Sequence, residues 1–249
     1  MVSTAPVAFV TNACGYAGLP AVEALIAAGF NVFVHNTSFP ESDPWAGSAG
    51  GQRVRRLTGD AATAFETTWA ETGRIDALVS NDHHPAIHHA KETAPIGALG
   101  ETLDALVVRA FALLQSAIPH LESQGGANIV MITSCRTRSP MPGGAIPDMA
   151  RAAADALVRS LVIELAPNDI AVNAIAPNFL YSEAYYPKAR FVDDADGREF
   201  VRCSVPAGRL GRPDEIGELI TFLATIKARF MTGAIIDFSG GWPASPPRP

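Results

Sequence analysis

The regular alternation of short apolar runs with helical segments is the feature that most restricts the fold of this chain. At its amino end, an apolar run at 6–10 precedes a turn, a helix to about residue 28 and a second apolar run at Asn31–His35. Strand, turn, helix and strand within about thirty residues form a βαβ unit. Apolar runs without polar alternation indicate strands buried on both faces, which predicts a parallel sheet covered by helices.

The same alternation continues to the other end of the chain. It predicts a single-domain, doubly wound, Rossmann-like α/β fold over residues 1–249, with about seven parallel strands and helices on both faces. Loops are predicted at 40–51 and 177–205, and the Pro-rich residues 243–249 are expected to form a surface tail or an arm to a neighbouring subunit. The later strands are predicted at 54–57, 77–80, 129–133, 170–175 and 234–238, and the later helices at 60–72, 99–121, 145–166 and 213–227.

Composition excludes several classes of partner. A chain of 249 residues with 48% hydrophobic content can bury one large core. The net charge of −6 argues against a nucleic acid or an anionic membrane surface as partner. No apolar run reaches the roughly 18–20 residues that span a bilayer, and the amino end lacks the pattern of a signal peptide. The three cysteines are too scattered for a disulfide framework, so we expect a cytoplasmic protein.

The segment from Ser134 to Arg151 is the strongest candidate for chemistry. Ser134 follows the apolar run at 129–133, and a residue at the carboxyl end of such a strand opens into the crevice where doubly wound sheets bind ligands. Arg151 lies one turn inside the following helix and can point back toward the same crevice. We therefore expect both side chains in one site.

The turn after the first strand runs Thr-Asn-Ala-Cys-Gly-Tyr-Ala-Gly from Thr11 to Gly18. A dinucleotide-binding turn needs small residues, so that the backbone can approach the pyrophosphate at the helix N-terminus. The phenol ring of Tyr16 would occupy volume that the cofactor needs. We therefore predict that the chain takes no NAD(P) cofactor. In the alternative, Tyr16 points elsewhere and the turn still binds a nucleotide.

These two segments resemble the short-chain dehydrogenase/reductase superfamily and, within it, the halohydrin dehalogenases. The dehalogenase pattern is Ser, twelve residues, Tyr, three residues, Arg; Ser134 and Arg151 fit it, but Pro147 stands at the tyrosine position. At the first turn the superfamily has glycine where this chain has Asn12 and Tyr16, and the halohydrin dehalogenases also have an aromatic residue there. The resemblance implies that a halide or another small anion occupies the former cofactor space.

The resemblance also assigns a halide pocket to the loop that begins at Pro177. A halide is large and weakly hydrated, so a few N–H donors in an apolar wall can hold it. The donors implied are the backbone N–H groups of Phe179 and Leu180 and the side chain of Asn178. In the alternative, Phe179 and Leu180 are ordinary core residues and the tyrosines pack together. The implied anion-binding set is Tyr16, Pro177, Asn178, Phe179 and Leu180.

The polar loop at 81–95 should lie at the mouth of the same crevice. It contains the histidine pairs at 83–84 and 88–89, which lack the cysteines or matched carboxylates of a typical metal site, so no metal is expected. The residues expected to line the substrate pocket are Asn81, Asp82, His83, His84, Tyr185 and Tyr186.

The mechanism implied by the resemblance needs a base that Pro147 cannot supply. In that mechanism a tyrosinate takes the proton from the substrate hydroxyl, the oxygen attacks the neighbouring carbon, and halide leaves to give an epoxide. Arg151 would lower the tyrosine pKa and Ser134 would bind the substrate oxygen. Arg151 itself stays protonated, and Asp148, in the first turn of a helix, is better explained as a residue that complements the helix dipole. The sequence leaves the replacement base open.

Three functions remain in order of preference. The first is a cofactor-independent lyase that converts vicinal halohydrins to epoxides and halide, with activity altered by Pro147. The second is a non-catalytic or repurposed homologue that binds a small alcohol, epoxide or anion, and the third is an NAD(P)-dependent oxidoreductase. By resemblance we expect a homotetramer that forms through the helices at 99–121 and 145–166. The expected partners are a small halohydrin or epoxide and a halide.

Overall fold

The sheet order reverses direction at one point, and that point positions the site. In the computed structural model, which describes residues 5–42, 44–45 and 50–244, seven parallel strands lie in the order β3-β2-β1-β4-β5-β6-β7. The strands are β1 Val7–Val10, β2 Asn31–His35, β3 Val54–Leu57, β4 Ala77–Ser80, β5 Ala127–Ile132, β6 Ile170–Pro177 and β7 Ile235–Phe238. The predicted doubly wound sheet is confirmed. Between β1 and β4 the strand order switches, which opens a crevice beyond their carboxyl ends.

Helices cover both faces of this sheet, as the sequence predicts. The helices are α1 Gly18–Ala27, α2 Ala61–Thr72, α3 Ile96–Leu103, α4 Arg109–Ser123, α5 Ala145–Leu165, α6 Ala195–Ser204 and α7 Pro213–Thr225. One apolar cluster joins the sheet to α1 and α7, and a second joins its other face to α2, α4 and α5. Strands β1, β4, β5 and β6 are buried along their whole length, which explains their continuous apolar sequences.

Local sequence signals account for several helix ends. The Asp60 carboxylate accepts a hydrogen bond from Thr63 N–H at 2.9 Å and begins α2, and the left-handed Gly73 ends it. Pro213 occupies the first turn of α7, where its missing N–H costs nothing, and the Glu215 carboxylate accepts from Arg212 N–H at 2.8 Å.

Two predicted segments differ in the structure. The single helix predicted at 99–121 begins earlier, at Ile96, and a π-helical segment, Asp104–Val108, separates α3 from α4. A π-turn holds one more residue per hydrogen-bonded ring than an α-turn, and Leu106 within it reaches the cavity described below. The predicted loop at 177–205 contains α6, which begins where the Asp194 carboxylate accepts from Gly197 N–H at 2.8 Å.

Parts of two other predictions lie outside the described residues. These are residues 43 and 46–49 of the predicted 40–51 loop and residues 245–249 of the predicted tail. Within the described ranges, no helix combines the length and apolar character needed to cross a membrane.

Helices α1 and α7 pack closely because Gly217 has no side chain. A Cβ on Gly217 would lie 2.8 Å from the carbonyl oxygen of Pro20 and 3.1 Å from the Ala24 Cβ. Both distances are too short for an unstrained contact, so the two helix backbones can approach only at a glycine.

Replacing Gly217 with alanine should lower the free energy of unfolding by about 1–3 kcal/mol, because added volume in a packed interface forces the helices apart. Gly100→Ala is the matched control, since open space surrounds its Cβ position. That control should be neutral or should stabilise by up to about 1 kcal/mol through helix propensity. Urea unfolding of both variants measures the difference, and equal stabilities would contradict the packing described.

Candidate active site

A cavity of about 520 Å³ opens at the carboxyl ends of β1, β4, β5 and β6. It is the place that the strand reversal creates, and both members of the predicted serine–arginine pair line it. Its walls mix polar groups with aromatic rings, which suits a small polar substrate. Among the residues around it are Tyr16, Asp82, Leu106, Ser134, Arg136, Arg151, Pro177, Asn178, Tyr185, Tyr186, Phe191 and Phe200.

Ser134 is held between two loops at the floor of this cavity. Its Oγ donates to the carbonyl oxygen of Pro177 at 3.3 Å and accepts from the N–H of Arg136 at 3.2 Å. The first bond is long for a hydroxyl donor, so little is lost when the proton turns to a ligand. The pairing of β5 with β6 therefore joins the serine to the loop predicted to bind the anion.

Arg151 is buried and bonded to backbone carbonyls. Its Nη1 donates to the Pro147 oxygen at 3.0 Å and its Nη2 donates to the His84 oxygen at 3.0 Å. Pro147 lies in the first turn of α5, where a proline is tolerated, and its ring has no proton to exchange. Arg151 thus ties α5 to the loop after β4 and places its charge beside the cavity.

The hydroxyl of Tyr185 meets the same backbone carbonyl. Its Oη donates to the His84 oxygen at 2.7 Å and accepts from the His84 N–H at 3.1 Å. Burial raises the pKa of Tyr185, and the positive charge of Arg151 partly offsets that rise. The predicted pocket residue His84 therefore contributes its backbone, which positions two cavity side chains.

Asn178 is the polar centre of the predicted anion loop. Its Oδ1 accepts from the Tyr186 hydroxyl at 2.9 Å and from the Phe179 N–H at 3.0 Å. Because both donors bond to Oδ1, the Nδ2 group of the same amide points away from them. Within the described ranges, no protein acceptor is hydrogen-bonded to that Nδ2. Burial raises the pKa of Tyr186 to about 12, so its hydroxyl remains a donor.

The side chains of Phe179 and Leu180 are packed in apolar clusters around the predicted anion loop. Their expected role concerned the backbone N–H groups, and that role stays a prediction for Leu180. The Phe179 N–H, expected to bind an anion, is already bonded to Asn178. The physical reason is local: the Asn178 side chain folds back onto the N–H of the next residue and occupies it.

Asn81 also lies elsewhere than expected. It is fully buried, and its Nδ2 donates to the carbonyl oxygens of Asn12 and Gly15 at 3.0 and 2.9 Å. This side chain braces the first turn and has no place in the wall of the cavity. Asp82 does reach the cavity, where it accepts bonds from Ser80 Oγ and Asn12 Nδ2. Burial raises the pKa of Asp82 to about 6.

Aromatic rings lie over the first turn. Tyr16 has a φ of 46°, a conformation that favours glycine, and its ring centroid lies 4.9 Å from that of Tyr185. The His83 ring lies against Gly15 so closely that a Cβ there would overlap it. In this arrangement a dinucleotide can reach the turn only after the Tyr16 and His83 rings move. Burial lowers the pKa of His83, which keeps the ring neutral.

Several cavity residues were not predicted from the sequence. Arg136 pairs with Asp148 through Nε and Oδ1 at 2.6 Å, so the carboxylate weighed as a substitute base serves as an ion-pair partner. Phe191 and Phe200 reach the cavity from the segment whose helix was missed. The Asp194 cap was the available signal for that helix. In the described part of the chain, no three His, Cys, Asp or Glu side chains are grouped to hold a metal.

Comparisons with known proteins found similar proteins of two kinds, reductases and a halohydrin dehalogenase. Residues 20–243 match the family model described as enoyl-(acyl carrier protein) reductase. Dehydrogenase/reductase SDR family member 4 from Pongo abelii is 28% identical over 172 residues, which are 69% of this chain and 61% of that protein. The match therefore spans less than two thirds of that relative.

Two solved structures cover nearly the whole chain. A halohydrin dehalogenase (HheC) bound to ethyl (2S)-oxiran-2-ylacetate is 29% identical, with a TM-score of 0.90 over 98% of this chain and 99% of that one. A Pseudomonas aeruginosa RhlG complex with NADP is 26% identical, with a TM-score of 0.81 over 96% and 97% of the two chains.

These comparisons overturn the prediction that the chain takes no nicotinamide cofactor. One relative is named a dehydrogenase/reductase, and a similar structure holds NADP. The prediction rested on the volume of one side chain, and rotation of that side chain to another staggered rotamer would clear the turn. Since the family model covers most of its length, the chain belongs to the short-chain dehydrogenase/reductase superfamily, in the family described as enoyl-(acyl carrier protein) reductase.

Proposed function

We propose that this chain is a halohydrin dehalogenase-like lyase, which converts vicinal halohydrins to epoxides and halide and catalyses the opening of epoxides by small anions. The observation that carries the proposal is the meeting of Ser134, Arg151 and Asn178 around one cavity of about 520 Å³. A hydroxyl, a fixed positive charge and a hydrogen-bond donor for an anion are three of the groups that this reaction needs, and the fourth is a base. The structural similarity to a dehalogenase with a bound epoxide ester supports the same substrate class.

Ser134 binds the substrate oxygen in this proposal. Its hydroxyl proton leaves the long bond to the Pro177 oxygen and turns to the oxygen of the halohydrin or epoxide. That oxygen gains negative charge as its proton leaves, so the serine bond becomes stronger in the transition state than in the ground state. Arg151, buried at the same wall, stabilises the developing charge.

Asn178 receives the halide that leaves. Its Oδ1 is engaged by Tyr186 and Phe179, so its Nδ2 is the donor that can face an anion. The rings of Tyr16, Tyr185 and Tyr186 supply a weakly polar wall that excludes water. Because Phe179 N–H is occupied, the anion site has fewer backbone donors than the sequence implied.

Two other candidates have their own support. A repurposed homologue that binds an alcohol, epoxide or anion without turnover is favoured by Pro147, which has no acid–base chemistry. NAD(P)-dependent oxidoreduction is favoured by the named relative and by the NADP-containing neighbour. Saturable quenching of protein fluorescence by NADPH, with NADPH consumed when a small ketone is added, would assign the oxidoreductase function instead of the lyase function.

A homotetramer stays part of the proposal. Exposed apolar side chains lie on the helices expected at the contacts, with Phe111 on α4 and Ile163 on α5 exposed by 49% and 80%. Burying such side chains against another copy of the chain would remove apolar surface from water.

Ser134→Ala should reduce bromide release from a small vicinal bromohydrin by at least about tenfold. A hydrogen bond aimed at developing oxygen charge contributes on the order of 10²–10³ in rate, and some of that can pass to Arg151. Ser42→Ala, in the exposed loop after β2, is the matched control and should keep the full rate. Bromide is followed with an ion-selective electrode. Equal rates in the wild type and the Ser134 variant would count against the proposed role.

Sodium bromide should raise the thermal melting temperature of the wild type, and Asn178→Ala should abolish most of the shift. An anion at a hundredfold excess over its Kd stabilises the folded state by about 2.7 kcal/mol. General salt effects act on the wild type and on the variants alike, so the difference between their bromide responses measures this binding. The control Asn168→Ala changes an exposed amide that donates to Glu122, so its bromide response should match the wild type. A full response in the Asn178 variant would place the anion elsewhere.

A further inference from the structure

Tyr185 lies far from Pro147 in sequence but beside Arg151 in the fold. Its Oη donates to the His84 carbonyl oxygen at 2.7 Å, and the Arg151 Nη2 donates to the same oxygen at 3.0 Å. The phenol oxygen and the guanidinium therefore lie no farther apart than the two bond lengths combined. Arg151 also acts on Tyr185 through its charge and through a side-chain hydrogen bond. The phenol of Tyr185 and the guanidinium of Arg151 therefore lie close together, although Pro147 occupies the helix position at which the resembled family has its tyrosine.

The position of Tyr185 also suits contact with a substrate. Its side chain lines the same cavity as Ser134 and Asn178, and its ring stands edge-on to Tyr16 with centroids 4.9 Å apart. The Tyr185 hydroxyl accepts a hydrogen bond from the His84 N–H and donates one to the His84 carbonyl oxygen. A phenol fixed in this way can exchange one backbone bond for a bond to a ligand without a change of rotamer.

We infer that Tyr185 is the proton-transfer residue of this site and replaces the tyrosine that Pro147 excludes; the inference rests on the lyase function proposed above. In ring opening, Tyr185 Oη gives its proton to the epoxide oxygen while the anion forms a bond to carbon and the C–O bond breaks. The phenolate formed is stabilised by Arg151 and regains a proton from water. In ring closure, the phenolate takes the hydroxyl proton, the oxygen bonds to the neighbouring carbon, and the carbon–halogen bond breaks to release halide.

The electrostatics of Tyr185 predict different pH dependences for ring opening and for ring closure. Burial is the largest influence and raises the pKa of Tyr185 above its ordinary value of 10, while Arg151 lowers it by a smaller amount. The phenol is therefore neutral at pH 7, which suits donation to an epoxide. Closure needs the phenolate, so its rate should rise with pH through the alkaline range. The titratable or charged groups that contact Tyr185 are Arg151 on α5 and Tyr16 in the first turn. Tyr16 is in turn influenced by Tyr186 and Cys135, and the His83 ring packs against it.

Asp82 is the rival base in the same cavity. Its pKa of about 6 would leave it ionised at neutral pH. Its oxygens, however, are engaged by Ser80 and Asn12 at the end of β4 and in the first turn. The positive charge that acts to lower the pKa of Asp82 is that of Arg109, whereas Arg151 acts on Tyr185. Tyr185 and Asp82 predict different pH–rate profiles for ring closure. A base with a pKa near 6 gives a closure rate that is flat above pH 7, whereas Tyr185 gives a rate that rises there.

The test compares pH–rate profiles of bromide release by the wild type, Tyr185→Phe, Asp82→Asn and Tyr181→Phe. Tyr181 is the matched control, since its hydroxyl bonds to Glu183 outside the cavity. The wild type and the Tyr181 variant should show closure rates that rise with pH above neutrality. Tyr185→Phe should lower the rate by about 10²–10⁴-fold and remove the rise, because a positioned acid–base group contributes that much. A retained bromide-induced thermal shift shows that this variant is folded with its anion site intact.

The outcomes separate the two proposals. If the wild type releases bromide and Tyr185→Phe keeps both the rate and its rise with pH, the role of Tyr185 is excluded and the lyase function stands. If Asp82→Asn loses activity while Tyr185→Phe keeps it, with a plateau above pH 7, Asp82 is the base. If the wild type releases no bromide at any pH, the lyase function falls and the role of Tyr185 falls with it.

Discussion

Parallel pairing of β5 with β6 is the constraint on which the candidate site depends. The ladder runs from Ala127 opposite Ile170 to Ile132 opposite Ile175, and the Thr133 N–H extends it by donating to the Ile175 oxygen at 2.8 Å. Because parallel strands end at the same edge of a sheet, the chain leaves both strands side by side. Ser134 and the loop at Pro177 are adjacent for that reason, and the substrate-oxygen site proposed above therefore lies beside the proposed anion site.

The buried Arg151 joins the first turn of α5 to the loop after β4. A proline in the first turn of α5 costs little, and its carbonyl becomes an acceptor for the guanidinium. The second acceptor, the His84 oxygen, brings the loop after β4 and Tyr185 to the same point. A buried cation without such partners would be expensive, so these contacts stabilise the fold and also bring α5, the loop after β4 and Tyr185 together.

The first turn illustrates how one scaffold can serve different chemistries. Its backbone is held by Asn81, which donates to Asn12 and Gly15, and by Thr11 Oγ1, which accepts from the Asn81 N–H at 2.9 Å. Those bonds preserve the shape of a nucleotide turn, while the Tyr16 and His83 rings lie over it. The similarity to both an NADP complex and a dehalogenase agrees with this arrangement.

Apolar runs and turn residues were enough to predict the seven strands, their parallel arrangement and the crevice that holds Ser134 and Arg151. A strand that is buried on both faces needs a continuous apolar sequence, which can be read directly from the chain. The π-helical Asp104–Val108, α6 and the inward role of Asn81 were missed, since each depends on neighbours distant in the chain. The pairing of Tyr185 with Arg151 belongs to the same group. Thirty-four positions separate these residues in the sequence. They come together because the loop after β6 packs against the backbone of His84, whose carbonyl oxygen accepts from both the Tyr185 hydroxyl and the Arg151 guanidinium.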